Sequence, residues 1–138
     1  MNILNISIDK GLLDKDSPVS QRMAWFGDVV DTYTIALPCD EKKEIRLSDN
    51  VCVFASGGKN KITQFFRLFL LVDGLLKKQK YDVITTQDPF FTGLLGVLLG
   101  KKQGIGVEVQ VHGWNKETFF RNMLRKWTMR HANGVRVV

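Results

Sequence analysis

Two residues able to form hydrogen bonds follow two apolar, β-prone segments in the middle of the chain. Asp88 comes after residues 81–86, and His112 closes residues 106–111. A helical pattern separates the segments, which is typical of a strand–helix–strand unit with parallel strands. In an open parallel sheet, ligands bind in the crevice outside the carboxyl ends of the strands. We therefore expect Asp88 and His112 at one ligand-binding crevice.

Each of the two residues has a functional and a structural interpretation. The His112 imidazole can donate to a sugar hydroxyl or a phosphate oxygen in the crevice, or it can cap only local backbone groups, which its chemistry alone slightly favours. Asp88 precedes Pro89 at a helix start, where a carboxylate can cap exposed backbone amides. Capping is the favoured role of Asp88, whether or not the residue also faces the crevice.

Three further residues are candidates for ligand contact. Gly11 is the glycine of the loop after the first strand, where a phosphate can approach the backbone, but GxGxxG is absent and a plain turn is the simpler interpretation. Arg22 either holds an anion over the sheet or lies in solvent on an amphipathic helix. Glu108 and Gln110 share one strand face, where an unpaired buried polar group costs about 1–3 kcal/mol. We expect Glu108 to pair with a cation and Gln110 to face the site.

Strands and helices alternate along the whole chain. Apolar β-prone segments predict strands at residues 2–8, 31–37, 51–55, 81–86, 106–111 and 134–138, with a charged loop or a short edge strand within 40–50. Helical patterns predict helices at residues 18–30, 61–80, 89–102 and 116–131. This order predicts an α/β fold, a single Rossmann-like domain over residues 1–138 with a doubly wound, mostly parallel sheet and helices on both faces.

The helices carry more specific signals. Ser17 is the expected cap of the first helix, with Ser20 as the alternative, and Pro18 suits its first position. Its buried side is expected to hold Met23, Trp25, Phe26 and Val29. The helix at 61–80 is expected to be mostly buried, and Gly93, Gly96 and Gly100 should let the next helix approach a neighbouring element closely.

Composition limits the class of protein. The 138 residues are 44% hydrophobic and 25% charged, which is typical of a soluble globular domain. Cys39 and Cys52 have no CxxC spacing, and with two remote histidines they form no zinc pattern, so we expect reduced, structural thiols. The opening apolar run is too short for a secretory signal, and residues 90–100 are too few to cross a bilayer. These features predict a cytoplasmic protein.

The net charge of +6 suggests a polyanionic neighbour. The last helix interleaves aromatic and aliphatic residues with five cations, which suits peripheral contact with the anionic inner face of a membrane. The more common interpretation is an amphipathic helix with its apolar side in the core. The absence of aromatic stacking motifs argues against a nucleic-acid partner. The five cations are Lys116, Arg121, Arg125, Lys126 and Arg130.

Four segments, in this order and spacing, resemble the amino-terminal, acceptor-side domain of a GT-B glycosyltransferase of the family 4 type. They are the opening NILNIS, YDVITTQDPF with its following GLLG, VQVHG, and the closing LRKWTMRHANGVRVV. The resemblance runs the length of the chain. It implies that a carboxyl-terminal domain binds the nucleotide-sugar donor through an E-x7-E motif. No two glutamates of this chain have that spacing, so we expect the donor-binding domain to be absent from it.

The resemblance also implies a reaction. It is the transfer, usually with retention of configuration, of a sugar from a nucleotide-sugar donor to a glycan or lipid-linked acceptor, with no metal and no other cofactor. His112 matches the family's cleft histidine, with Gly113 beside it and Gln110 in the pattern before it, and Asp88 matches the acidic or polar residue after the fourth strand. The family's glycine-rich first loop is reduced here to Gly11, and the chain alone should be nearly inactive. The alternative is a non-catalytic Rossmann-like module that binds a nucleotide or another phosphorylated ligand.

Overall fold

The computed structural model describes residues 1–113 and 116–138, and these residues build one sheet with helices on both faces. Strands β1 to β7 are Asn2–Ile6, Thr32–Leu37, Lys42–Ser48, Val51–Ser56, Val83–Thr86, Gly106–Val111 and Gly134–Val137. Helices α1 to α4 are Pro18–Phe26, Lys61–Lys78, Phe91–Gln103 and Phe119–His131, and a 3₁₀ turn covers Lys10–Leu13. The last helix begins three residues later than the pattern predicts.

The sheet has the order β3-β4-β2-β1-β5-β6-β7. All neighbouring strands are parallel except the antiparallel pair β3 and β4. The chain therefore winds outward from β1 in both directions, which confirms the predicted doubly wound, mostly parallel α/β fold. The charged segment between β2 and β4 is the edge strand β3, and exposed charges on an edge oppose pairing with other chains.

The core divides between the two faces of the sheet because different strands present most of the apolar residues on each face. On one face, Leu4, Ile6, Ile84 and Val109 pack against α2 and α3. On the other face, Ile35, Leu37, Val51 and Val53 pack against α1 and the 3₁₀ turn. The sheet thus separates α1 from the other helices.

Two predictions about buried helix faces are wrong in whole or in part. In α1, Trp25 is 70% exposed and Phe26 is 42% exposed, and Val29 lies beyond the helix end at 76%. Of the four expected residues, Met23 does pack against the core, together with Val19 of the same short helix. The predicted cap is confirmed, because the Ser17 hydroxyl accepts a hydrogen bond from the Ser20 amide at 3.1 Å.

The second wrong prediction concerns α2, which is not mostly buried. Its buried side is the stripe formed by Leu68, Val72 and Leu76. Three apolar residues spaced four apart on another side are exposed instead, at 71% for Ile62, 62% for Phe66 and 68% for Leu70. Apolar residues cover more of the circumference of this helix than the sheet and its neighbours can bury.

Glycines in α3 permit close packing, as the sequence predicts. A Cβ atom added to Gly93 would lie 2.6 Å from the carbonyl oxygen of Asp88 and 2.8 Å from Thr128 Cγ2. A Cβ atom on Gly96 would lie 2.5 Å from Thr86 Cγ2, and one on Gly100 would lie 2.3 Å from Val107 Cγ2. These distances leave no room for a side chain between α3 and the sheet at Gly96 and Gly100, or between α3 and α4 at Gly93, so larger residues would push α3 away.

A buried carboxylate joins α2 to α3. Asp73 pairs with Lys102 of α3 at 2.7 Å and with Lys77 of its own helix at 2.6 Å. Hydrogen bonds from Lys102 and then Lys77 lower the pKa of Asp73 below its ordinary value. The two helices are thereby held side by side on the same face of the sheet.

Replacing Gly93 should destabilise the fold, whereas replacing Gly74 should not. The Gly93→Ala methyl group meets a backbone carbonyl that cannot rotate away, so we expect a loss of about 1–3 kcal/mol in the free energy of unfolding. Gly74, inside α2, has nothing within 4 Å of an added Cβ atom, so Gly74→Ala should be neutral or stabilising by up to about 1 kcal/mol. Urea unfolding measures both. Equal stability of the two variants would contradict the packing argument.

Asp73→Asn should destabilise the protein at neutral pH and much less in acid. A lowered native pKa means that the carboxylate contributes stability above its unfolded-state pKa of about 3.9, and that this contribution is lost as the pH falls through the native pKa. The stability difference between wild type and variant should therefore shrink below about pH 4 in urea unfolding. Asp49→Asn, which alters an exposed carboxylate in the β3–β4 turn, is the control. A difference for Asp73→Asn that did not change with pH would exclude the ion pairs as its cause.

Candidate functional site

A cleft of about 890 Å³ opens at the carboxyl ends of β1, β2, β5 and β6. Ile8, Pro38, Gln87 and His112 line it from the loops that follow these strands, and the first turns of α2 and α3 complete its walls. It lies at the edge of the sheet where the sequence predicted a crevice, because β1, β5 and β6 are parallel neighbours.

Asp88 and His112 both line the cleft, as the sequence predicts. His112 follows β6 directly and is exposed, and the described residues include no hydrogen-bond partner for its imidazole, so the ring is accessible to a ligand. Asp88 accepts a hydrogen bond from the Phe90 amide at Oδ1 (2.6 Å) and one from the Thr92 hydroxyl at Oδ2 (2.7 Å). Both carboxylate oxygens are thus engaged in the turn before α3, but Phe90 precedes the helix and no side chain among the described residues caps the amides of α3 itself, so the predicted capping role is not observed.

The other candidate residues are not among the described residues that line the cleft. A Cβ atom on Gly11 would lie 2.9 Å from Val19 Cγ1, so this glycine lets the 3₁₀ turn approach α1. Arg22 is exposed on α1, on the opposite face of the sheet from α2 and α3. Gly113 lies one residue beyond His112 with φ +67°, a left-handed conformation that favours glycine. Ligand contact by these residues remains a prediction.

Gln110 lies on the face of β6 that it shares with Glu108. Its ladder partner is Arg136 of β7, and the Arg136 guanidinium forms an ion pair with Glu108 at 2.7 Å. The predicted pairing of Glu108 with a cation is therefore confirmed. Gln110 itself is half-buried beside this pair and does not belong to the cleft lining. Its predicted role in binding stays a prediction.

Gln87 is a cleft residue that the sequence analysis missed. Its Oε1 accepts hydrogen bonds from the Ser7 hydroxyl at 2.8 Å and from the Ile8 amide at 3.0 Å. The backbone amide of Gln87 donates to the Ile6 carbonyl at 3.1 Å. Gln87 thereby joins the loop after β1 to the loop after β5. The available signal was its position, since it is the first residue beyond the end of a buried strand.

Cations at the cleft were also missed, because they come from distant parts of the chain. Lys10 follows β1, Lys61 begins α2, and Arg121 lies in the first turn of α4. The Arg121 guanidinium lies 4.0 Å from the centre of the Phe90 ring and pairs with Glu117 at 2.9 Å. Together with His112, these groups make the cleft suitable for a phosphorylated ligand.

Much of the remaining cleft lining is apolar. Pro38, Phe65 and Leu68 are among these residues, and the Phe65 and Phe91 rings meet edge to face with centroids 6.0 Å apart. Within residues 1–113 and 116–138, no cluster of three or more His, Cys, Asp or Glu residues could hold a metal ion. The geometry thus combines an apolar surface with cations and one accessible imidazole.

The chain has the fold of one Rossmann-like half of a GT-B architecture. Solved structures support this assignment. The chain is similar to UDP-GlcNAc 2-epimerase from Methanocaldococcus jannaschii (20% identity, TM-score 0.63) and to UDP-N-acetylglucosamine 2-epimerase from Rickettsia bellii (14%, 0.66). It is also similar to a lipopolysaccharide outer core galactosyltransferase (14%, 0.61).

Each of these three alignments covers 98% of this chain and 38% of the other protein. The chain thus corresponds to less than half of each of these structures. No protein-family model matches the sequence, and comparison with curated proteins gives no match. At these identities the likeness establishes the fold alone. The similar structures include UDP-GlcNAc 2-epimerases and a galactosyltransferase, which are enzymes of nucleotide-sugar chemistry.

Removing the Gln87 acceptor should loosen the cleft. Gln87→Ala leaves the Ser7 hydroxyl and the Ile8 amide without their acceptor, so we expect a loss of about 1–3 kcal/mol in the free energy of unfolding. Gln87→Glu keeps an oxygen acceptor at the same place and should lose less. Urea unfolding, together with hydrogen exchange of the Ile8 amide, measures the effect. Unchanged exchange in Gln87→Ala would show that the residue does not hold the two loops together.

Proposed function

We propose that this domain is the acceptor-side half of a glycosyltransferase that moves a sugar from a nucleotide-sugar donor to a glycan or lipid-linked acceptor. The observation that carries the proposal is the exposed His112 imidazole at the carboxyl end of β6, in a cleft that also contains Lys10, Lys61 and Arg121. The structural likeness to a galactosyltransferase and to UDP-GlcNAc epimerases supports it.

The cleft residues would divide the work between orientation and charge stabilisation. His112 would donate a hydrogen bond to the transferred sugar or to a phosphate oxygen and so orient the reacting groups. Arg121 and the two lysines would stabilise negative charge that develops on the departing phosphate. The resemblance of four sequence segments to family 4 enzymes leads us to propose transfer with retention of configuration and without a metal. The composition of the chain leads us to propose that the reaction takes place in the cytoplasm. The donor would be held by a second Rossmann-like domain, and the reaction would take place between the two.

Replacing His112 should lower the rate of sugar transfer while leaving the fold intact. In the protein assayed together with a donor-binding domain, we expect His112→Ala to reduce kcat/KM by a factor on the order of 10² to 10³, the loss typical when one aligned hydrogen-bond donor is removed. His131→Ala is the matched control, because His131 lies outside the cleft and contacts the Trp127 carbonyl oxygen at 2.8 Å. An unchanged rate in His112→Ala would remove that residue from the mechanism.

Calorimetric titration of the domain alone separates the proposal from the alternative of a non-catalytic nucleotide-binding module. The transferase half should bind nucleotide sugars weakly or not at all, since its partner domain would hold the donor. Tight binding that is lost in Lys10→Ala or Lys61→Ala would instead favour the module. In the complete assay, a product in which only the nucleotide sugar is epimerised would favour an epimerase over a transferase.

A further inference from the structure

The helices α2, α3 and α4 form one layer whose outer side is unusually apolar. Asp73 of α2 pairs with Lys102 of α3, and Thr128 of α4 lies at the close approach to Gly93 of α3, so the three helices are neighbours. Nine apolar residues of these helices are exposed, and three of them, Phe91, Phe119 and Phe120, lie in the first turns of α3 and α4. The other six are here called the outer helix surface: Ile62, Phe66 and Leu70 on α2, Leu98 on α3, and Met123 and Trp127 on α4. Their exposure ranges from 36% to 71%.

Core packing does not explain this surface. The side of α2 that faces the sheet is already filled by Leu68, Val72 and Leu76. Ile62, Phe66 and Leu70 are spaced four residues apart, so they form a continuous stripe along two turns of another side. Exposed apolar residues on three adjacent helices are more than the scattered single residues that are normal on a protein surface. They indicate a surface that meets another apolar phase or partner.

The charge of the protein is concentrated on the same three helices. Together α2, α3 and α4 carry ten lysine and arginine residues and one acidic residue, Asp73, which gives a net charge of +9. The rest of the chain holds the other ten basic and thirteen acidic residues, a net charge of −3, and the two values sum to the +6 of the whole chain. The helix layer is therefore strongly basic on an otherwise mildly acidic domain.

Exposed cations lie on the same helices as the outer helix surface. Lys101, Lys126 and Arg130 are exposed on α3 and α4, and Lys101 Nζ lies 5.9 Å from the centre of the Trp127 ring. The predicted set of five membrane-facing cations needs correction, because Arg125 is 7% exposed and donates to Asn122 Oδ1 at 2.7 Å. Lys116 lies before α4 and not within it.

We propose that the outer helix surface docks the protein on an anionic lipid membrane. Its apolar side chains would enter the boundary between head groups and acyl chains, and the surrounding cations would pair with lipid phosphates. A second copy is a poor partner, because two surfaces of the same sign repel each other. Nucleic acid is also a poor partner, because aliphatic residues such as Ile62, Leu70 and Leu98 do not stack on bases.

The position of the cleft agrees with a membrane lying against the outer helix surface. Lys61 and Ile62 line the cleft and also begin α2, and Phe91 and Arg121 line it from the first turns of α3 and α4. The cleft therefore borders the outer helix surface at the amino-terminal ends of these helices. A membrane on that surface would lie next to the mouth of the cleft.

Vesicle sedimentation tests the proposal directly and does not depend on sugar transfer. The protein should sediment with vesicles of equal parts phosphatidylcholine and phosphatidylglycerol at low salt, less at high salt, and little with phosphatidylcholine alone. Phe66→Ser with Leu70→Ser should weaken binding at least about tenfold, since two large apolar groups no longer enter the interface. The matched control is Trp25→Ser with Val29→Ser, equally exposed residues on the other face of the sheet, and it should bind like wild type.

A second pair of variants tests the charges. Lys126→Glu with Arg130→Glu should weaken binding to the anionic vesicles by about tenfold or more, whereas Lys15→Glu with Arg22→Glu makes the same change in net charge elsewhere and should have a small effect. Thermal unfolding verifies that each variant is folded. Equal binding to neutral vesicles, equal loss in the control variants, dimerisation through this surface, or binding to a short nucleic acid that excludes vesicles would each overturn the proposal.

Discussion

The arrangement of the site depends on three parallel strands, β1, β5 and β6, that end at the same edge of the sheet. Their carboxyl ends leave backbone groups beyond the last ladder hydrogen bond, and buried groups of this kind must find partners. Gln87 supplies partners at the ends of β1 and β5, through its side-chain oxygen and its backbone amide. Asp88 does the same for the turn before α3. His112, on the third strand, is left to face the cleft, so the loops are fixed while the imidazole stays accessible.

This division of roles shows which parts of the site a sequence can reveal. The positions of Asp88 and His112 could be predicted because each follows an apolar segment, and strand order then brings them together. Lys10, Lys61 and Arg121 could not be predicted as cleft residues, since nothing local links them and only the winding of the chain around β1 brings them to one edge. Gln87 was missed for a different reason: a polar residue after a strand is common, and its role depends on Ser7, eighty residues away.

The same reasoning explains the success of the fold prediction and its errors over burial. Strand alternation, the Ser17 cap and the close-packing glycines of α3 are local or nearly local signals, and they hold in the structure. Burial of a helix face depends on what lies opposite it. Trp25 and Phe66 have the pattern of core residues, yet the sheet beneath each helix is already covered by other side chains. An apolar residue on a helix therefore predicts a packing contact, but the sequence does not show whether that contact lies inside the domain.

The two faces of the sheet differ in a way that bears on both proposals. On the face that carries α1, the strands β5, β6 and β7 present Thr85, Glu108, Gln110 and Arg136, and no described helix packs there. Burial raises the pKa of the neighbouring Tyr33, whose hydroxyl accepts a hydrogen bond from Asn5 at 2.9 Å. This part of the sheet is polar and its Glu108–Arg136 pair tolerates water, so it needs no apolar cover. The larger set of exposed apolar residues, the outer helix surface, lies on the opposite side, beside the cleft. A membrane there would approach the site without obstructing the edge of the sheet from which His112 projects.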